Sequence, residues 1–148
     1  MASFLAMKAV VLYESLTGNT RKAGELIATK LQESGVGITD VCPVRQPDYS
    51  AIQDADLVVV GTWVHGLFVV GQAPWGLGAL QALPAISGKQ VATYCTFALN
   101  PGSSLDKMAR ALESRGGQVI GGLALNRSKL VAHSEEFVGR LLANVSAA

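Results

Sequence analysis

Charged residues are scarce in this chain of 148 residues: they make up 16% of it, against about 25% in an average soluble domain. Twelve lysines and arginines oppose eleven aspartates and glutamates, which leaves a formal net charge of +1. Because no run of basic residues occurs, the chain lacks the electrostatic footprint of a nucleic-acid-binding protein. The hydrophobic share of 49% excludes a disordered chain.

Cysteine is also rare, with Cys42 and Cys95 as its two occurrences. Two such residues do not make a disulfide framework, and no Cys/His spacing is typical of a metal site. No window reaches the eighteen or so apolar residues of a membrane span, and the amino terminus carries no signal peptide pattern. We therefore expect a cytoplasmic protein without a membrane span. Residues 1–148 fit a single domain, with residues 1–6 as a candidate amino-terminal extension.

Continuous apolar runs alternate with stretches of helical periodicity along the chain. Such runs indicate strands buried on both faces, and the alternation predicts an α/β fold with three layers, a doubly wound parallel sheet between helices. The predicted strands are 8–13, 36–41, 56–61, 90–96 and 118–125. The predicted helices cover 20–34, a short segment at 77–83, a segment from 105, and a last helix that Ser134 caps. Ligands of such sheets bind beyond the carboxyl ends of the strands, so the loops after Tyr13, Gly61 and Thr96 are the candidate binding loops.

The first of these loops has the composition of a phosphate cradle. It offers hydroxyls, an amide and a flexible glycine directly before a helix, in the order Ser15, Leu16, Thr17, Gly18, Asn19 and Thr20. Hydroxyls, backbone N–H groups and the helix dipole together suit a phosphate. The loop has no lysine, so it is not a nucleoside-triphosphate loop. The alternative interpretation is a polar cap of the helix with no ligand.

The ten residues from Val11 to Thr20 resemble the phosphate-loop signature of the flavodoxin family, and the core Ser-x-Thr-Gly-Asn-Thr matches fully. One departure follows it, since Gly24 stands where the family usually has alanine. The resemblance implies a flavodoxin-like fold with five parallel strands in the order 2-1-3-4-5 and non-covalent binding of FMN. In that order two strands separate Cys42 from Cys95 by about three spacings of ~4.8 Å, so no disulfide joins them.

The resemblance also implies two loops around the flavin ring. Thr62, Trp63 and Val64 correspond to the second flavin loop, whose tryptophan commonly stacks on the ring. We expect Thr62 and Val64 to lie past the end of the strand, which favours a ligand contact for Trp63 over a place in the core. Cys95, Thr96 and Phe97 correspond to the third loop, where Phe97 is a candidate second wall and the backbone is a candidate contact of the pyrimidine edge. We expect the Cys95 side chain itself to be a small buried hydrophobe.

The middle of the chain is almost free of charge. Residues 57–105 contain one charged side chain, Lys89, and the segment 64–77 is rich in large apolar residues. A contiguous exposed apolar patch usually marks an association surface, here a homodimer contact or a docking site beside the flavin. The alternative is a flap that packs on itself.

These observations leave three hypotheses for the function. The leading one is an FMN-binding electron carrier between a reductase and an acceptor, because no acid–base set is evident and redox chemistry belongs to the flavin. The second is an FMN-dependent NAD(P)H or quinone reductase that uses the 64–77 segment as a substrate or dimer surface. The third is an interaction module that keeps the fold and has lost the flavin.

Overall fold

Strands and helices alternate along the chain. The structure is a computed structural model, and it describes residues 7–14, 18–65, 73–74, 86, 88–97 and 104–145. The strands are β1 (Lys8–Tyr13), β2 (Gly37–Pro43), β3 (Leu57–His65), β4 (Ala73–Pro74), β5 (Gln90–Phe97) and β6 (Gln118–Asn126). The helices are α1 (Asn19–Glu33), α2 (Tyr49–Asp54), α3 (Ser104–Glu113) and α4 (Leu130–Asn144). The short helix predicted at 77–83 lies outside the described residues.

The long strands form one sheet in the order β2-β1-β3-β5-β6, and every neighbouring pair along this path is parallel. With the two-residue β4 set aside, this is the predicted order 2-1-3-4-5, so the predicted doubly wound fold is confirmed. β4 pairs antiparallel with the end of β3. The sheet order also confirms that β1 and β3 separate the two cysteines, which are both free and buried.

Helices cover both faces of the sheet, and each face has its own apolar core. Residues of β1 alternate between the two cores: Val11 faces α1 and α4, and Val10 faces α2 and α3. Both valines are fully buried, at 0% exposure. This explains the continuous apolar runs, since a strand covered on both faces needs apolar side chains at odd and even positions.

Two predicted boundaries are wrong by more than one or two residues. Strand β3 does not end at Gly61 but continues to His65, because Thr62 and Trp63 pair with β5 and the last two residues pair with β4. The partner strands supply the hydrogen bonds that extend β3, and one strand's sequence does not reveal its partners.

The last helix also begins earlier than predicted. Ser134 does not cap it, because the helix starts at Leu130 after Lys129. Leu130 is buried, which anchors the first turn on the core, and the Asn126 N–H donates to His133 Nδ1 at 3.0 Å. Ser134 instead lies within the helix at 1% exposure.

Candidate functional site

The candidate site lies at the carboxyl edge of the sheet, where β1, β3 and β5 are adjacent. Helix α1 begins at Asn19, shortly after β1 ends at Tyr13. Gly18 precedes the helix with a φ of 92°, in the left-handed region that favours glycine. Among the residues that the structure describes, none would lie within 4 Å of a Cβ added at Gly18. The glycine is therefore required by its backbone conformation and not by a close contact with another described residue.

The start of α1 has the electrostatics of an anion site. Its first turn contains no acidic residue, and Gly18 has no side chain to accept hydrogen bonds from the first-turn N–H groups. The positive end of the helix dipole adds to their attraction for negative charge. Ser15, Leu16 and Thr17, which complete the predicted cradle, lie outside the described residues.

Thr20 connects this helix end to the interior strand β5. Its hydroxyl lies 2.8 Å from the hydroxyl of Thr96, and both residues are buried, at 1% and 3% exposure. The phenol of Tyr94 donates to the Thr20 carbonyl oxygen at 2.9 Å. Two neighbouring side chains on the same face of β5, Tyr94 and Thr96, therefore hold one residue of the phosphate motif.

Two glycines make room for Tyr94. Its ring lies over Gly61, its partner across the ladder, where an added Cβ would come within 1.9 Å of Cζ. An added Cβ at Gly24 would come within 2.8 Å of the Tyr94 hydroxyl. The ring also packs edge-on against Phe137, with centroids 6.0 Å apart. The departure at Gly24 thus has a physical reason: the family's alanine would collide with this phenol.

An ion pair stands beside the start of the phosphate loop. Arg45 Nε lies 2.6 Å from Glu14 Oε2, and the Glu14 side chain is only 12% exposed. The Glu14 N–H donates to the Gly61 carbonyl, which ties this residue to the end of β3. The arginine offsets the negative charge that would otherwise oppose a bound phosphate. Sequence reasoning missed Arg45, because the pair joins residues from the ends of two different strands.

The predicted ring contacts lie at the ends of β3 and β5. Trp63 is half-buried and pairs with Thr96, while Thr62 is fully buried opposite Cys95. The backbone of Val64 pairs with Pro74, which continues β3 beyond the parallel ladder. The tryptophan therefore projects from a strand and not from a loop, next to the Thr20–Thr96 pair.

Cys95 and Phe97 lie on the opposite face of β5 from Thr96. The Cys95 side chain belongs to the core on the α2 and α3 face, and burial raises the pKa of its thiol to about 12. This confirms the small buried hydrophobe expected at that position. Phe97 is half-buried at the carboxyl end of the strand.

The groups at the start of α1 suit an anion. Among the described residues, no group of three or more His, Cys, Asp or Glu side chains is placed to hold a metal. The Asn19 amide and the Thr20 hydroxyl at the start of α1 fit a phosphate, and the nearby Trp63 ring fits a flat flavin ring. The 64–77 association surface lies mostly outside the described residues and stays a prediction.

A parallel sheet in this strand order with helices on both faces defines a doubly wound α/β protein. The sequence model of the Flavodoxin domain family matches residues 10–122, and the chain belongs to this family. The family implies a flavin cofactor. No curated protein sequence matches the chain.

Solved flavodoxin structures have the same fold. Oxidised flavodoxin 1 from Bacillus cereus is 21% identical with a TM-score of 0.69, and the match covers 94% of this chain and 99% of that one. A flavodoxin from Streptococcus pneumoniae is 22% identical with a TM-score of 0.70, covering 93% and 99%. Two-electron reduced flavodoxin from Megasphaera elsdenii is 17% identical with a TM-score of 0.65, covering 88% and 98%. Among the helices that the structure describes, none combines the length and apolar character needed to cross a membrane.

Proposed function

We propose that this protein binds FMN and carries electrons between a reductase and an acceptor protein in the cytoplasm. The observation that carries the proposal is the Ser-x-Thr-Gly-Asn-Thr motif of residues 15–20 at the β1–α1 junction of a flavodoxin-family sheet. When bound, FMN supplies the redox chemistry. The residues of the chain bind the phosphate, orient the ring and shield it from water.

The phosphate binds at residues 15–20 in this proposal. FMN's phosphate is a dianion that N–H and O–H donors can satisfy without a lysine. The start of α1 supports this role, because it combines the helix dipole with an acid-free first turn. The Glu14–Arg45 ion pair at 2.6 Å also supports it, since the neighbouring carboxylate is already compensated.

The flavin ring binds beside Trp63 in this proposal. The tryptophan is half-buried at the carboxyl end of β3, next to the strand that carries Thr96. A flat aromatic ring favours an aromatic wall. Thr62, Val64, Cys95, Thr96 and Phe97 flank the same edge of the sheet, and we assign their backbone groups to the polar rim of the ring.

A titration with FMN and with riboflavin tests the assignment. Riboflavin lacks the phosphate, so it should bind the wild-type apoprotein much more weakly than FMN. Thr17→Val should weaken FMN binding by about 1.5–3 kcal/mol, the value of a hydrogen bond to a charged group, and should change riboflavin binding little. Thr29→Val is the matched control, since Thr29 is an exposed threonine of α1 whose hydroxyl donates to the Glu25 carbonyl.

The titration has a clear contrary outcome. Equal affinity for FMN and riboflavin would contradict the proposal that residues 15–20 bind the phosphate. Failure to take up either flavin would favour the interaction module without a cofactor.

Steady-state assays separate the carrier from the reductase. A carrier should accept electrons from an added reductase protein and should oxidise NADH or NADPH only slowly on its own. Rapid direct oxidation of a nicotinamide with reduction of a quinone would instead establish the alternative, an FMN-dependent reductase.

A further inference from the structure

Two buried hydroxyls face each other at the start of α1. Thr20 Oγ1 and Thr96 Oγ1 are 2.8 Å apart, and the two residues are 1% and 3% exposed. They are far apart in sequence and come from helix α1 and the interior strand β5. Among the described residues, neither hydroxyl makes another hydrogen bond that would use its hydrogen.

The two hydroxyls together can donate one more hydrogen bond. Each threonine hydroxyl carries one hydrogen and can also accept. The bond between them uses one of the two hydrogens, so the other is left for an acceptor. A buried donor without an acceptor is costly, and a ligand oxygen beside Thr20 would remove that cost.

We propose that Thr96 is a positioning residue for the flavin phosphate: it donates to Thr20 and so leaves the Thr20 hydrogen for a phosphate oxygen. This inference rests on the proposed function and deepens it. A phosphate dianion can only accept hydrogen bonds, so it selects the direction Thr96 to Thr20 to phosphate. In such a chain each bond polarises the next, which strengthens the contact with the anion.

Tyr94 fixes the other side of the same residue. Its phenol donates to the Thr20 carbonyl at 2.9 Å, and Gly24 and Gly61 leave the space that the phenol and ring occupy. Thr20 is thus held through its main chain by Tyr94 and through its side chain by Thr96. This arrangement fixes the hydroxyl before the ligand arrives, so that less conformational entropy is lost on binding.

The test measures dissociation constants for FMN and riboflavin with four apoproteins: wild type, Thr96→Val, Thr96→Ser and Thr93→Val. Valine has the shape of threonine and lacks the hydroxyl. Thr93→Val is the matched control, because Thr93 is also buried in β5, at 1% exposure, and lies on the opposite face of that strand from Thr96. Circular dichroism of each apoprotein checks that the fold is kept.

Thr96→Val should raise the FMN dissociation constant about three- to tenfold, the loss of one neutral hydrogen bond, with little change for riboflavin. Thr96→Ser should restore FMN binding, and Thr93→Val should leave both constants within about twofold of wild type. In addition, Thr20→Val combined with Thr96→Val should bind FMN no more weakly than Thr20→Val alone, because both changes remove the same contact.

Three results would overturn the inference while leaving the proposed function in place. In all three, wild type binds FMN much more tightly than riboflavin. In the first, Thr96→Val leaves the FMN dissociation constant unchanged, and in the second it weakens the binding of FMN and riboflavin equally. In the third, the effects of Thr96→Val and Thr20→Val on FMN binding add in full. The second result would mean that Thr96 contacts the ring or supports the fold. A wild-type protein that does not prefer FMN over riboflavin would instead overturn the proposed function, and this inference with it.

Discussion

Replacing Gly24 with alanine has opposing effects whose balance depends on Tyr94. In an ordinary helix interior the change stabilises by about 1 kcal/mol, because glycine loses more backbone entropy on folding. Here the new Cβ would lie 2.8 Å from the Tyr94 hydroxyl and 3.2 Å from Val11 Cγ1. The first distance is shorter than a methyl group tolerates, so the phenol must move.

The expected loss in the free energy of unfolding comes mainly from the hydrogen bond that the Tyr94 phenol would lose. Moving it breaks its 2.9 Å bond to the Thr20 carbonyl and leaves a fully buried hydroxyl unpaired, which costs about 1–3 kcal/mol. Overpacking adds to that cost. We therefore expect Gly24→Ala to lower the free energy of unfolding by about 1–2 kcal/mol in the wild-type background.

Tyr94→Phe removes the oxygen that causes the collision. In this background Gly24→Ala should be neutral or stabilising, because only the 3.2 Å contact with Val11 must relax and the gain in helix propensity remains. The coupling energy of the cycle should then be about 2 kcal/mol. Urea unfolding of the four apoproteins, followed by circular dichroism, measures it.

A coupling energy below about 0.5 kcal/mol would refute the reasoning. So would a stabilising effect of Gly24→Ala in the wild-type background, since the phenol would then have moved without loss.

Three further predictions concern the ring wall, the buried thiol and the redox potential. Trp63→Ala should weaken FMN binding by roughly 1–3 kcal/mol, by analogy with base–aromatic stacking, and FMN should quench the wild-type Trp63 fluorescence; unchanged affinity would place the ring elsewhere. Burial raises the pKa of Cys95 to about 12, above the ordinary thiol value of 9, so the unfolded chain loses this proton first. Stability should therefore fall as the pH rises from 9 toward 12, and Cys95→Ala should flatten that fall; identical pH profiles in urea unfolding would contradict this. Finally, a carboxylate about 8 Å from a reduced flavin, at an effective dielectric near ~40, disfavours the added charge by roughly 1 kcal/mol, on the order of 40 mV for one electron. Because residues 57–105 contain no carboxylate, we expect a potential less negative than that of an acidic flavodoxin; a very negative potential in a spectroelectrochemical titration would rule out this charge argument.

The sequence alone determined the class of fold and the position of the phosphate motif. Strands such as β1 are covered on both faces, so they need continuous apolar runs, and those runs can be read without a structure. The turn into α1 is equally local, since Gly18 is required by the left-handed conformation of its own backbone. The resemblance to flavodoxins supplied the order of the strands, which no local pattern encodes.

The surroundings of that motif depend on contacts between segments that are distant in the sequence. The extent of β3 depends on hydrogen bonds from β4 and β5, and the start of α4 depends on burial of Leu130. The reason for Gly24 lies in Tyr94, which is distant in the sequence and adjacent in space. Local propensity describes one segment at a time, whereas hydrogen bonds and excluded volume act between segments that the fold brings together. For that reason the sequence identified Thr20, and only the structure identified the tyrosine and threonine that hold it.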